Sequence, residues 1–89
     1  MPDSVTAIGE GAFYKCSSLE EIVIPESVTK IDDIAFRGCE NLKRMVIPES
    51  VKDFGWGVLN GCENVTVVCK DDSVAAAYCE KKNIVHVSK

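Results

Sequence analysis

Pro2, Pro25 and Pro48 stand 23 residues apart, and Cys16, Cys39 and Cys62 keep the same interval. Two residue types holding one period over most of an 89-residue chain define an internal repeat. The copies are PDSVTAIGEGAFYKCSSLEEIVI (2–24), PESVTKIDDIAFRGCENLKRMVI (25–47) and PESVKDFGWGVLNGCENVTVVCK (48–70). The first two agree at 11 of 23 positions and the second and third at 8. A unit this short buries its apolar side chains only against a neighbouring unit, so the expected architecture is a stacked solenoid.

Within a copy, LEEIVI (19–24) and LKRMVI (42–47) place apolar residues at offsets 0, 3 and 5, and the end of each run alternates in, out, in. That is a short strand with one buried face, closed by the proline after it. Because the copies advance in one sense, equivalent strands stack in parallel. The other half starts with a Pro–Ser turn and sends Val5 and Ile8, Val28 and Ile31, or Val51 and Phe54 inward. A-F-x-x-C then has the spacing of one helical or 3₁₀ turn across the back. The first coil is expected to bury Val5, Ile8, Ala12, Phe13, Cys16, Leu19, Ile22 and Ile24.

A net charge of −4 with scattered Lys and Arg argues against nucleic acid and against an anionic membrane surface. No stretch approaches the roughly 20 apolar residues of a membrane span, and MPDSVTAIGE has neither the basic start nor the apolar run of a signal peptide. Cys16, Cys39 and Cys62 occupy one slot flanked by apolar residues at three before and three after, which reads as a column of buried thiols. Close C-x(2–4)-C pairs of the zinc type are absent from the sequence, so no metal is expected. Cys69 and Cys79 break the pattern; a bridge between an outward strand residue and a helix behind it has poor geometry, and Cys69 reads as a free, reactive thiol.

No catalytic constellation emerges. His86, the single histidine, has no patterned partner, and the pairs Glu20-Glu21, Asp32-Asp33 and Asp71-Asp72 point to opposite sides of extended chain. No calcium loop, nucleophile elbow or phosphate-cradling glycine loop is present. Neither an enzyme nor a cofactor is expected. Asn64-Val65-Thr66 matches the N-glycosylation acceptor pattern, but Val65 fills the buried Leu slot, so the match reads as a by-product of the repeat.

The pattern P-x-S-V-T-x-I-x-x-x-A-F-x-x-C-x-x-L-x-x-I-x-I-P resembles the BspA-like, or Treponema pallidum type, leucine-rich repeats over residues 2–70. The third copy departs from it: Phe54 replaces Ile, Val58-Leu59 replaces Ala-Phe, and Lys70 replaces the last Ile. The resemblance implies an α/β-type right-handed solenoid of 23-residue leucine-rich repeats. It places a short parallel β-sheet on the concave face, short helical or 3₁₀ turns on the back, and a helix–strand cap at the C-terminus. DDSVAAAYCEKKNIVHVSK supplies that cap, with Asp72 or Ser73 capping a helix over 73–82 and Ile84, Val85 and Val87 in an edge strand. Asp71 and Asp72 at its start and Lys81 and Lys82 at its end suit the macrodipole. Residues 1–89 then form a single domain, with repeats 2–24, 25–47 and 48–70 and a cap over 71–89.

The chain opens at a repeat boundary, which reads as a piece of a longer array whose first coil is covered by upstream repeats or by self-association. The resemblance further implies a bacterial cell-surface or secreted protein, although the family also occurs in protists. Its role would be adhesion to proteins of a host or another cell. The alternative is a purely structural stalk or end-cap with binding elsewhere. The candidate protein-binding surface is the outward side of the strands. There the 23-residue alignment gives two rows, Glu21, Arg44, Val67 and Val23, Val46, Cys69, with Glu21 and Arg44 placed to pair. Trp56, aligned with Glu10 and Asp33, is a candidate exposed aromatic; its other reading is a ring folded over Gly55 and Gly57 or against the terminal helix.

Overall fold

The computed structural model describes residues 4–88, so Pro2 lies outside the described residues. Each copy contributes two short strands: β1 (Ala7–Ile8) and β2 (Glu21–Val23), β3 (Lys30–Ile31) and β4 (Arg44–Val46), β5 (Asp53–Phe54) and β6 (Thr66–Cys69). After them come a helix, α1 (Val74–Lys82), and a last strand, β7 (His86–Ser88). All pairings are parallel, in the orders β1-β3-β5 and β2-β4-β6-β7. The sheet expected from the L-x-x-I-x-I segments is the second of these. The first is additional, built from only two residues per copy, too few to show an alternation.

The back of each copy is not helical. The N–H groups of Gly11, Phe13 and Lys15 donate to Asp33, Ala35 and Arg37 of the next copy, and those of Ile34, Phe36 and Gly38 donate to Trp56, Val58 and Asn60. The intervening N–H groups of Ala12, Tyr14 and Cys16 close tight turns onto Gly9, Gly11 and Phe13. With alternate donors committed to the neighbouring copy, the helical or 3₁₀ ladder expected here cannot form. The turns need positive φ at two slots per copy, filled by Gly11, Ile34 and Gly57 and by Lys15, Gly38 and Gly61. The repeat serine also works between copies: the Ser27 and Ser50 hydroxyls donate to the Val5 and Val28 carbonyls (2.7 and 2.8 Å).

Register exposes a slip in the third copy. Ile22 pairs with Met45, a step of 23, but Met45 pairs with Val67, a step of 22. One residue is missing between the Leu slot (Val65) and the strand. Val67 and Cys69 therefore point inward and are buried, which corrects their expected place on the outward rows. Cys69, not Lys70, fills the slot of Ile24 and Ile47. Lys70 is exposed and pairs with Glu49 at 3.3 Å.

The core runs between the two sheets and the back turns, through Ile31, Phe36, Leu42, Met45 and Ile47, all fully buried. Phe13 and Phe36 stack with centroids 4.9 Å apart and planes 5° from parallel. In the first copy Val5, Phe13, Cys16, Leu19 and Ile22 are only half-buried, and Ala12 is exposed, against the expectation of a buried slot. Its equivalents Ala35 and Val58 are buried because they have packed neighbours on both sides.

The expected helix is present, with Ser73 as N-cap accepting from the Ala76 N–H (3.1 Å) and Asn83 closing it in the left-handed conformation (φ 58°). Lys81 and Lys82 occupy its last turn, but Asp71 and Asp72 precede the cap rather than lying in the first turn. The Asp71 carboxylate instead accepts from the Ser88 hydroxyl, tying the start of the helix to β7. Tyr78 on α1 stacks on Phe54 with centroids 4.8 Å apart, which accounts for Phe at a slot that is Ile in the other copies.

Candidate functional site

The outward side of the second sheet is set by β2, β4, β6 and β7. Their pairing gives one row Glu21, Arg44, Thr66 and a second row Val23, Val46, Val68, Val87. Thr66 and Val68 hold the places that an unbroken 23-residue register assigns to Val67 and Cys69. Neighbouring strands lie about 4.8 Å apart, so the valines form a continuous stripe roughly 14 Å long. Val23 is 58% and Val87 46% exposed, whereas Val46, covered by its neighbours, is 8% exposed. Val85, also exposed, stands next to β7 on the same side by alternation.

Beside the stripe the Arg44 guanidinium donates to Glu21 Oε1 at 2.6 Å. Both side chains are about half exposed, so the pair contributes little stability and serves chiefly to fix the two charges in space. A groove of about 460 Å³ opens alongside, floored by Val23 and Val46 and walled by Pro25, Glu26, Ser27 and Pro48. The face thus offers apolar contact, one fixed ion pair and a shallow cleft.

Trp56 is 64% exposed on the back turns, with the Arg37 guanidinium 5.7 Å from its ring centroid. It does not fold over its glycines. Its N–H donates to Asp33 Oδ1 (2.8 Å) and its carbonyl accepts from the Ile34 N–H (2.8 Å), so the main chain is held while the ring projects.

All five cysteines are free thiols. The Cys39 and Cys62 thiols donate to the Phe13 and Phe36 carbonyls of the preceding copy, each at 3.0 Å. Those same carbonyls accept the Cys16 and Cys39 N–H groups of their own copies, so the cysteine column stitches copies together as well as filling space. Burial pushes the Cys62 thiol up to about 11 and the Cys79 thiol up to about 12. It raises Cys39 and Cys69 in the same direction. Cys69, 1% exposed, is therefore an inert core thiol rather than a reactive surface one.

The remaining titratable candidates do not converge. Asp32 accepts from the Asp33 N–H and Asp33 from that of Trp56, both turn-forming bonds. His86 is half-buried on β7 opposite Val67. Among the described residues no three His, Cys, Asp or Glu side chains gather as metal ligands, and no helix is long and apolar enough to cross a membrane.

The family model for the BspA type leucine rich repeat region, which describes six copies, matches residues 1–80. No curated protein and no solved structure matches. A match over nearly the whole chain, on a structure whose copies pair strand to strand in parallel, makes this a repeat module of the protein-interaction type. The chain belongs to the BspA type leucine-rich repeat family.

Proposed function

We propose that residues 1–89 act as one right-handed solenoid domain, three repeats closed by a helix–strand cap, and that it is a non-enzymatic protein-binding module of a cell-surface or secreted adhesin. The observation that carries this reading is the outward valine stripe Val23, Val46, Val68, Val87. A sheet face left to water ordinarily alternates to polar residues, and an apolar row there favours a partner that removes it from water. Glu21 and Arg44 beside it give the contact its orientation. The binding residues assigned are Glu21, Val23, Arg44, Val46, Val68 and Val87.

The test is saturable binding of the purified chain to plated extracellular-matrix proteins, read by biosensor. Val23→Asp, Val87→Asp and Arg44→Glu are expected to abolish or sharply weaken it while the circular dichroism spectrum is kept. Equal binding by all three folded variants would overturn the assignment. The packing of Tyr78 onto Phe54 favours a second reading, in which this segment is the structural end-cap of a stalk; that reading predicts no saturable binding at all. The half-buried first-copy residues Phe13, Leu19 and Ile22 support self-association through that end, to be read as a concentration-dependent mass in light scattering. A constant monomer mass at high concentration would remove it.

A further inference from the structure

The first sheet stops one strand before the second. Residues 75–77, at the repeat interval from 52–54, are wound into α1 and supply no fourth strand, whereas the second sheet goes on to β7. In the earlier copies the Thr6 and Ile8 carbonyls accept from the Thr29 and Asp32 N–H groups, and the Thr29 and Ile31 carbonyls accept from those of Lys52 and Gly55. The next carbonyls in this series, Lys52 and Phe54, receive no such bond among the described residues. The N–H and carbonyl of one strand residue point the same way across a ladder, so the Phe54 N–H faces outward as well. The edge of β5 therefore presents acceptor, donor and acceptor in a row.

One face of α1 stands beside that edge. Val74, Ala77, Tyr78 and Lys81 have the i, i+3, i+4, i+7 spacing of a single helix face, and together with β5 and Lys52 they line a cleft of about 360 Å³. Val74 and Ala77 are exposed there, whereas Ala75, Ala76 and Cys79 turn into the core. A row of main-chain acceptors and a donor is matched by another main chain. A whole coil of a second molecule does not fit, because β7 already holds the next place in the second sheet. A single extended strand does, with its apolar side chains against Val74, Ala77 and the Phe54–Tyr78 stack. Lys52 and Lys81 against Asp53 give the cleft a positive balance on a chain of net charge −4, and neither lysine has an ion-pair partner among the described residues. We infer that the cleft between β5 and α1 takes an extended acidic peptide segment as an added strand, at a site distinct from the valine stripe.

The experiment titrates the isotope-labelled full chain with the acetylated, amidated heptapeptide Thr-Glu-Val-Glu-Val-Glu-Thr, following amide resonances and hydrogen exchange. Saturable shifts are expected over β5 and α1, with exchange of the Phe54 N–H slowed by about tenfold when the peptide stands at ten times its Kd. The same peptide N-methylated throughout, which cannot donate to the Lys52 and Phe54 carbonyls, should not bind. Lysine in place of every glutamate should weaken binding by about tenfold, and the double variant Lys52→Glu, Lys81→Glu should reverse that preference. Ala77→Trp fills the cleft from an exposed position and should remove binding while the circular dichroism spectrum is kept. Silence with the acidic peptide at millimolar concentration overturns the proposal, and so does binding that survives N-methylation or folded Ala77→Trp. Shifts confined to β2 and β4 would place the peptide on the valine stripe and overturn it as well. Protection of the Phe54 N–H that rises with protein concentration in the absence of peptide would make the occupant a second copy, with the same consequence.

Discussion

Ile34 sits at φ 49°, in a slot where the other two copies have glycine, Gly11 at 63° and Gly57 at 66°. A β-branched residue in the left-handed region is a true outlier. Its main chain is nevertheless obliged to be there, because its N–H must reach the Trp56 carbonyl (2.8 Å) while its own carbonyl accepts from the Arg37 N–H (3.2 Å). The cost can be isolated by comparing Ile34→Ala with Ile34→Gly. Both lose the same half-buried side chain; only the alanine keeps a Cβ. The left-handed conformation costs an L-residue about 1–2 kcal/mol, and glycine gives back about 0.5–1 kcal/mol through its freer unfolded chain. Glycine should therefore be the more stable of the two by about 0.5–1 kcal/mol, the reverse of the usual order inside regular structure.

In a domain of this size that difference separates the two thermal midpoints by roughly 2–8 °C and the urea midpoints by a few tenths of a molar. Paired melts at equal concentration, with unchanged urea m-values, measure it. Lys15 provides an independent repetition, since it has φ 55° in the slot of Gly38 and Gly61 and its side chain is exposed. Lys15→Gly should likewise exceed Lys15→Ala. Alanine equal to or better than glycine at both sites would refute the view that these turns are held left-handed by the bonds between copies.

Gly55→Ala, whose Cβ would collide with the Asp33 nitrogen, should destabilise by about 1–3 kcal/mol, whereas Gly9→Ala in the same slot of the first copy, with nothing within 4 Å, should be near neutral in the same urea titration. Phe36→Ala should cost about 3–5 kcal/mol and Phe13→Ala clearly less, since Phe36 is fully buried and its stacking partner Phe13 only half so. Of the five thiols only Cys16 should react with a thiol reagent in the native state, Cys39, Cys62, Cys69 and Cys79 becoming labelled only on unfolding. The folded pKa values of Cys62 and Cys79 are raised from 9.0 to about 11 and about 12. The stability they contribute is therefore complete below pH 9 and lost as pH rises towards those values, at about 1.4 kcal/mol per thiol per pH unit. Replacing Cys79 by alanine should flatten that alkaline decline, and an unchanged slope would count against it.

The repeat, the L-x-x-I-x-I strands, the cysteine column and the helix cap are legible because each is written in apolar spacing or in a capping residue. The third copy is misread by one residue at a visible place. Val65, Val67 and Cys69 alternate strictly, and that alternation, taken in preference to the 23-residue count, puts all three inside. Carrying the period through a deletion instead turns two core residues into surface ones and hides Thr66 and Val68. The first sheet is not legible, since two residues per copy show no periodicity. The back turns are not either: their signature is a pair of positive-φ slots, and in the first two copies Lys15 and Ile34 stand where glycine would have announced it.

Those same two slots explain why the segment after the third copy folds differently. It opens like the others, with Ser73-Val74 at the same 23-residue interval as Ser27-Val28 and Ser50-Val51. In the second and third copies that serine reaches back to a valine carbonyl of the preceding copy; Ser73 instead donates to the Lys70 carbonyl and caps α1. The next residues, AAAYCEKK, contain no glycine and three alanines, the best helix former. A helix spends its N–H and carbonyl groups on itself, so it offers no carbonyl row to the third copy in the way that copy served the second. Tyr78 makes up part of the difference by side-chain packing, stacking on Phe54 while burial raises its pKa and the nearby Leu59 N–H partly offsets that rise. The second sheet still continues, since β7 pairs with β6, but only after a coil of 19 residues, as Val67 pairs with His86, against 22 in the step from Met45 to Val67. One sheet goes on while the back-turn ladder stops, and a run of three alanines with no glycine beside it favours the helix that ends that ladder.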